Sequence, residues 1–461
     1  MRKIIRGALA ALLLSGSVAH AETLADALAS GYESSGLIDQ NRALLRAADE
    51  DVAQAVAALR PVVNWVANVT ATYPTSPFAD PTYRIGEFAY SLGLGLQASI
   101  TVYDFGARDL AIDAQKELVL ATRQSLLNVE QQVLLRVVAA YQEVQRAAEF
   151  VRLRENNVRL ITQELRAAQD RFEVGEVTRT DVALAEAALA SAQSLLAAQQ
   201  GSLAQAIEEF RAAVGRDPGN LEPARPATIP QSEAEAKAIA LRTHPALLQS
   251  QHEVAAAEIG IRQARAATRP TVSLSGQVQV DEDFQGSDID TAVIGLEATG
   301  PIYQGGRLAS QVRQFMARRD AARGQLLETA RQIEQNVGNA YASLEVSRAS
   351  RTAIVEQVRA AQVAFEGVRE EATLGARTTL DVLDAEQDLL DARTNLVDAE
   401  LSEVVASYQL LSSMGLLTAR NLGLNVQLYD PTAYYNLVDD APASVSQQGQ
   451  ALDRVLRAIG D

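Results

Sequence analysis

From residue 63 to residue 73 every second position is apolar or aromatic (Val63, Trp65, Ala67, Val69, Ala71, Tyr73), with Asn64, Asn68, Thr70 and Thr72 between them. A period of two sends alternate side chains to opposite faces, so this segment is predicted to be a strand with one apolar and one polar side. A second row, Phe88, Tyr90, Leu92, Leu94, Leu96, Ala98, Ile100 and Val102, alternates with Ser91, Gly93, Gly95, Gln97, Ser99 and Thr101. Two more rows follow far downstream. Val272, Leu274, Val278 and Val280 alternate with Ser273, Ser275, Gln277 and Gln279, and Ala292, Ile294, Leu296 and Ala298 alternate with Thr291, Gly295, Glu297 and Thr299. Four strands are expected, paired through Pro-, Gly- and Asp-rich tips at residues 74–86 and 281–290. The rows exceed the usual soluble strand of about 5–6 residues and suit tilted strands of a membrane barrel. Two hairpins of a soluble sandwich are the competing reading, and the aromatic residues near the strand ends (Trp65, Tyr73, Phe88, Tyr90, Tyr103) favour the membrane.

The rest of the chain is helical in pattern. Segments 24–60, 178–214, 233–269 and 378–414 alternate with the much longer 108–174 and 307–374, and interior Gly and Pro are few in all of them. A helix of about 67 residues runs roughly 100 Å, which requires lateral partners along its length, as in a coiled coil or a barrel of helices. The pattern also repeats. Tyr103, Gly106, Tyr141, Gly175, Thr178, Asp181, Val182, Ala185, Glu186, Leu189 and Gly215 recur 200 residues later, as Tyr303 through to Gly415. Upstream the offset becomes 209, because Arg60-Pro61 matches Arg269-Pro270. The expected organisation is a first repeat at 22–220 (helix, β-hairpin, long helix, helix), a second at 221–420, and a tail at 421–461. Four strands cannot close a barrel, and an open edge in lipid would leave backbone groups unpaired, so copies of the chain must share one sheet. Two copies give about 8 strands with a filled interior, whereas three give about 12 and leave room for a lumen. The small polar residues Ser91, Gly93, Gly95 and Ser99 favour three.

Composition narrows the function classes. Residues 1–21 read as a secretory signal, with Arg2, Lys3 and Arg6 ahead of a short apolar run and Ala19-His20-Ala21 as the cleavage site. No later segment is expected to reach the composition of a membrane-spanning helix. The chain has no cysteine, which excludes disulfides and a lipid anchor on cysteine, and its formal charge of −17 excludes nucleic acid as a natural partner. Aromatic residues are only 5%, which suits closely packed helices better than a thick core. No nucleophile elbow or phosphate loop is present, and His244 and His252, eight residues apart, lack carboxylates at ligand spacing. The expectation is therefore no enzyme, no metal and no cofactor. His244-Pro245 stands where a helix would begin, which gives that histidine a capping role.

Chemistry concentrates at two helix reversals. Gly175 and Gly375 can take the left-handed turn that ends one helix, and the Thr-x-x-Asp that follows (Thr178 to Asp181, Thr378 to Asp381) is a capping-box start for the next. Capping alone accounts for Asp181 and Asp381. It does not account for Asp384, Asp388 and Asp391, which continue from Asp381 at heptad spacing along one face. Like charges so placed repel, and the matching positions of the first repeat, Leu184, Ala188 and Ser191, are uncharged. In a three-fold assembly each step would make a ring of three carboxylates that prefers cations. A solvated outer face is the alternative for Asp388 and Asp391.

These residues resemble the TolC family of outer-membrane efflux and secretion ducts. The resemblance covers nearly all of the mature chain: Arg-Pro before each first strand, Val102-Tyr-Asp-Phe-Gly106 and Pro301-Ile-Tyr-Gln-Gly-Gly306 after each hairpin, and Gly-x-x-Thr-x-x-Asp-Val at both reversals. It implies a mainly α protein with a membrane β part, a homotrimer whose 12-stranded barrel in the outer membrane continues into a 12-helix periplasmic tunnel. The implied partners are outer-membrane lipid, a periplasmic adaptor (membrane fusion) protein and an inner-membrane ABC or proton-driven transporter. Asp381 and Asp384 match the family's entrance aspartates. Arg377, Thr180 and Asp181 match positions that hold the entrance closed, and the tyrosine of that lock falls at Ala372. The tail, with Leu422-Gly-Leu, Tyr429-Asp-Pro and Tyr434-Tyr435, resembles the type I secretion branch. The implied function is a passive exit duct. The alternative is a periplasm-spanning scaffold or adhesin without transport, which predicts one apolar seam and no strands of membrane length.

Overall fold

The period-two rows form strands and the long segments form helices in the computed structural model, which describes residues 22–73, 88–283 and 287–460. The expected leader at 1–21 and the first hairpin tip at 74–86 lie outside the described residues. In chain order the elements are α1 (Leu24–Ser34), α2 (Gly36–Ala57), β1 (Val62–Thr72), β2 (Ala89–Tyr103), α3 (Ala107–Glu173), α4 (Arg179–Val214), α5 (Glu233–Thr243), α6 (Pro245–Ala266), β3 (Thr271–Asp283), β4 (Ser287–Thr299), α7 (Arg307–Thr373), α8 (Thr379–Ser413), α9 (Pro431–Val438) and α10 (Gln447–Gly460). α3 and α7 begin 200 residues apart and each has 67 residues; α1 and α5 begin 209 apart and each has 11.

Three expectations need correction here. Segments 24–60 and 233–269 are not single helices: each is broken at an equivalent place, Ser35 and His244. At the second break Pro245 has no N–H to continue the helix and takes the first position of α6, while His244 stays extended and accepts a bond from the Ala246 N–H on Nδ1 at 3.2 Å. Burial lowers the pKa of this capping histidine, which keeps Nδ1 an acceptor. The second hairpin tip is also shorter than 281–290, because the ladder continues through Asp281↔Ile289 and Glu282↔Asp288 to Asp283↔Ser287. Pairing there outlasts the alternation of apolar and polar residues that signals a strand in the sequence. α4 departs from expectation too: by length and composition it is apolar enough to cross a membrane, although its apolarity is largely alanine.

The chain forms two compact units. One comprises Leu37–Val129, Ala238–Gln335 and Leu428–Asp461 and holds the sheet. Its four antiparallel strands lie in the order β1-β2-β3-β4, which leaves β1 and β4 as edges. The register aligns the rows across all four strands: Trp65 opposes Leu96, Leu96 opposes Val278, and Val278 opposes Ala292. The neighbouring row on the other face runs Asn64, Gln97, Gln277. The apolar face is bare, with Trp65 at 77%, Ile294 at 85% and Leu296 at 70% exposure. On the polar face Gln277 Nε2 donates to Gln279 Oε1 at 2.5 Å and Gln279 Nε2 to Asp281 Oδ1 at 2.6 Å. A Cβ on Gly93 would lie 2.4 Å from Asp281 Oδ1 and 2.6 Å from Asn68 Oδ1. That glycine serves its neighbours' side chains, so it does not by itself signal a lumen. In the same unit α9 and α10 pack on α2 through Ala53, Tyr434, Val438 and Leu452. Asp49 is wholly buried, neither of its oxygens has a hydrogen-bond partner, and burial raises its pKa to about 6.

The other unit comprises the chain up to Gly36 with Glu130–Lys237 and Asn336–Gln427. Tyr141 of α3 is fully buried and its hydroxyl donates towards the carbonyls of Glu22 at 2.8 Å and Glu222 at 2.7 Å. The equivalent Tyr341 hydroxyl donates to Gln231 O at 3.0 Å, and Gln231 stands 209 residues after Glu22. α1 lies close against α3 and α4: a Cβ on Gly31 would lie 2.4 Å from Val137 Cγ2 and 3.0 Å from Ala213 O.

Candidate functional site

Both helix reversals belong to this second unit and are built alike. α3 ends at Glu173 and α7 at Thr373; Gly175 and Gly375 follow with φ of +81° and +77°, a conformation open to glycine at little cost. The Glu176 and Ala376 N–H groups return to Arg171 O and Glu371 O, each at 2.9 Å, which closes the end of the preceding helix. Thr178 and Thr378 are extended N-caps of α4 and α8.

Asp181 and Asp381 complete the capping boxes. In each, Oδ2 accepts the threonine N–H and the threonine hydroxyl at 2.8 Å. The Asp181 N–H returns to Thr178 Oγ1 at 3.4 Å and the Asp381 N–H to Thr378 Oγ1 at 3.2 Å. These bonds lower both pKa values, Asp181 through the hydroxyl of Thr178 first and Asp381 through the backbone of Thr378 first, with Arg377 adding a smaller contribution to Asp381. A depressed folded-state pKa contributes stability that is present above the unfolded value of about 3.9 and is lost as pH falls through the folded value. Protection of the Asp181 and Asp381 amides from hydrogen exchange, measured relative to the intrinsic rate at each pH, is therefore expected to fall on acidification below that range. Thr378→Ala should quicken exchange at the Asp381 amide already at neutral pH, by destabilising the cap by about 1 kcal/mol. Unchanged protection in both cases would remove the capping account.

The remaining expected residues are in view of solvent. Asp384, Asp388 and Asp391 are exposed on α8, while Val382, Glu386 and Leu389 of the same helix are buried. Asp391 Oδ1 accepts from Gln387 Nε2 at 2.7 Å. Leu184, the counterpart of Asp384, is exposed as well, so the two hairpins present chemically different faces at the same level. Arg377 Nε donates to Glu371 Oε2 at 2.8 Å, an ion pair within the reversal of α7 and α8, and Thr180 is exposed. Within the chain, then, Arg377 and Asp181 each have a partner in their own reversal. Ala372 lies in the α7–α8 contact with Phe365, Val382 and Leu389, where its small side chain lets the helices approach. Val174 and Leu374 at the two reversals are 72% and 78% exposed, a large apolar exposure that neither hairpin covers.

Sequence reasoning missed the buried polar groups that join α8 to its neighbouring helices. Glu386 Oε1 accepts from Asn157 Nδ2 of α3 at 2.6 Å, and Glu403, also buried, pairs with Arg351 at 2.8 Å and Arg348 at 3.4 Å of α7. Nothing in the spacing of the sequence points to either. The one signal was the repeat, which places a glutamate at 386 and at 186 in different surroundings. In the sheet-bearing unit, likewise, His252 Nδ1 lies 2.8 Å from Glu117 Oε2, a carboxylate more than one hundred residues away in the chain.

Comparison with known proteins gives a consistent picture. The family model described as outer membrane efflux protein matches residues 33–216 and 238–416, one match in each repeat. The chain is 37% identical over 441 residues to the outer membrane efflux protein BepC of Brucella suis biovar 1, covering 94% of both chains. It is 25% identical over 386 residues to the outer membrane protein TolC of Escherichia coli (strain K12), covering 77% of both. The fold is shared with the outer membrane protein VceC of Vibrio cholerae, with a TM-score of 0.73 at 20% identity over 85% of this chain and 96% of that one.

Proposed function

The chain belongs to the outer membrane efflux protein family and is an outer-membrane channel component of tripartite export systems, and from that premise we propose how it conducts. Three copies close their sheets edge to edge, β4 of one against β1 of the next, into a 12-stranded barrel with the apolar face in lipid. The helices continue it as a 12-helix tunnel. The observation that carries this is the sheet itself, four strands with two open edges, one apolar exposed face and one polar face. No single protomer can hold such a sheet in a bilayer.

At the helix reversals, the exposed carboxylates of α8 face the passage. Asp384 is the principal ring, Asp381 divides its charge between the ring and its cap, and Asp388 and Asp391 extend the acidic wall. Arg377, with Thr180 and Asp181 of a neighbouring copy, holds the ring narrow. Exposed Val174 and Leu374 offer apolar contact to a periplasmic adaptor, and an inner-membrane transporter, ABC or proton-driven, supplies the energy. The 37% identical relative is named for efflux, and the tail carries the resemblance to the type I secretion branch, so the route served is efflux, type I protein secretion or both.

Single-channel current in a planar bilayer under a salt gradient tests this reading. The wild-type protein should give a small, cation-selective conductance. Asp384→Asn is the cleaner probe than a change at Asp381, because it leaves both capping boxes in place, and it should move the reversal potential towards zero. Unchanged selectivity would remove the ring, and inserted trimers without conductance would remove the duct.

A further inference from the structure

Glu386 lies just over one turn beyond Asp381 on α8, at 3% exposure, and faces α3. Its Oε1 has one donor, the equally buried Asn157, and its Oε2 has no hydrogen-bond partner. The charged groups that act on it from the packed helices are Glu164 of α3 and Arg369 of α7, and these two are already joined at 3.8 Å. The first repeat shows that the hairpin fold does not need this arrangement: Glu186 is exposed, and the counterparts of Asn157 and Glu164 are Gln357 and Ala364.

We propose that Glu386 is a proton-operated positioning residue for the entrance: uncharged, it holds α8 against α3, and charged, it releases α8 together with the aspartates that α8 carries. This rests on the entrance reading given above. A carboxylate in that contact has a single hydrogen bond, and the cation that acts on it, Arg369, is already paired with Glu164, so ionisation favours either entry of water or transfer of Arg369 from Glu164 to Glu386. Either change separates the surfaces that Glu386 now joins. Burial raises its pKa to about 7; the Asn157 bond and Arg369 oppose the rise and Glu164 adds to it. The switch therefore sits at neutral pH.

Single-channel conductance of the full-length trimer, measured from pH 5.5 to 8.5 at constant salt, reads the switch. Wild-type conductance should rise severalfold with pH, most of the change falling within about one unit either side of the midpoint. Glu386→Gln, isosteric and uncharged, should hold the low-pH conductance throughout. Asn157→Ala removes the donor to the charged form and should shift the midpoint upward by about one unit. Asp49→Asn, which removes the other buried carboxyl with a raised pKa among the described residues, should leave the midpoint in place. A wild-type pH step that survives Glu386→Gln, or a midpoint unmoved by Asn157→Ala, would overturn the proposal. The ring is judged separately by reversal potential: lost pH response with intact dependence of selectivity on Asp384 leaves the ring standing without the switch, and the converse leaves the switch without the ring.

Discussion

Replacing Tyr141 by Ala is expected to destabilise the anchoring of the N-terminal segment by about 3–5 kcal/mol, the range for emptying a buried aromatic site. Three features of the structure combine in that figure. The side chain is fully buried, its ring lies 6.4 Å from that of Phe210, and its hydroxyl holds the backbone of Glu22 and of Glu222 at once. Those two segments also bond to each other, through the Glu22 N–H to Asn220 O at 2.8 Å and the Glu222 N–H to Glu22 O at 2.9 Å. Hydrogen exchange at these amides should accelerate by about two to three and a half orders of magnitude. Tyr141→Phe keeps the ring and removes one of two donors from each carbonyl, since Glu22 O still accepts the Glu222 N–H and Glu222 O still accepts from Gln145 Nε2 at 2.6 Å, so a loss nearer about 1 kcal/mol is expected. Tyr341→Ala is the internal comparison. Tyr341 is only half-buried and holds one carbonyl, that of Gln231, so the same substitution should cost less. Equal exchange in the Tyr141 and Tyr341 variants would show that burial is not what makes this anchor strong.

Tyr141 also shows how far the sequence can be read. Its recurrence at Tyr341 was plain, and so was the equivalence of the two halves, because a fixed offset survives whatever each residue does. The role of the tyrosine was not legible, since its partners are backbone carbonyls, and any residue supplies a carbonyl. The strands were legible wherever one face is apolar. They became silent beyond Val280, where both faces are polar and the ladder nevertheless continues to Asp283. The helix break at His244 was signalled by Pro245; its counterpart at Ser35 has only Gly36 to mark it. At the reversals, glycine, threonine and aspartate encode their own geometry within seven residues, so the capping boxes could be read directly. Glu386 could not, because what distinguishes it from Glu186 is Asn157, on another helix and far away in the chain. Local chemistry is written in local sequence, and burial against a distant helix is not.

The same contrast between neighbours gives the largest expected effect on membrane insertion. Leu96 and Gln97 are adjacent, both exposed in the protomer, and differ in the face they occupy: Leu96 lies between Trp65 and Val278, and Gln97 between Asn64 and Gln277. If the apolar face meets lipid, Leu96→Arg places a charge in hydrocarbon at a cost of about 2–4 kcal/mol per chain near the midplane. Three chains share one barrel in the proposed assembly, so the cost is paid three times in a single insertion event. Gln97→Arg places the same side chain on the polar face, where water and the Gln277, Gln279 and Asp281 ladder can solvate it. The expected result is that Leu96→Arg protein fails to fold into liposomes or does so only at a lower urea concentration than wild type, while Gln97→Arg protein inserts normally and shows a changed conductance. Refolding into lipid vesicles across a urea series, followed by flotation, measures both. Equal insertion of the two variants would mean that the apolar face is covered by protein, and the edge-to-edge barrel would then have to be abandoned in favour of stacked sheets.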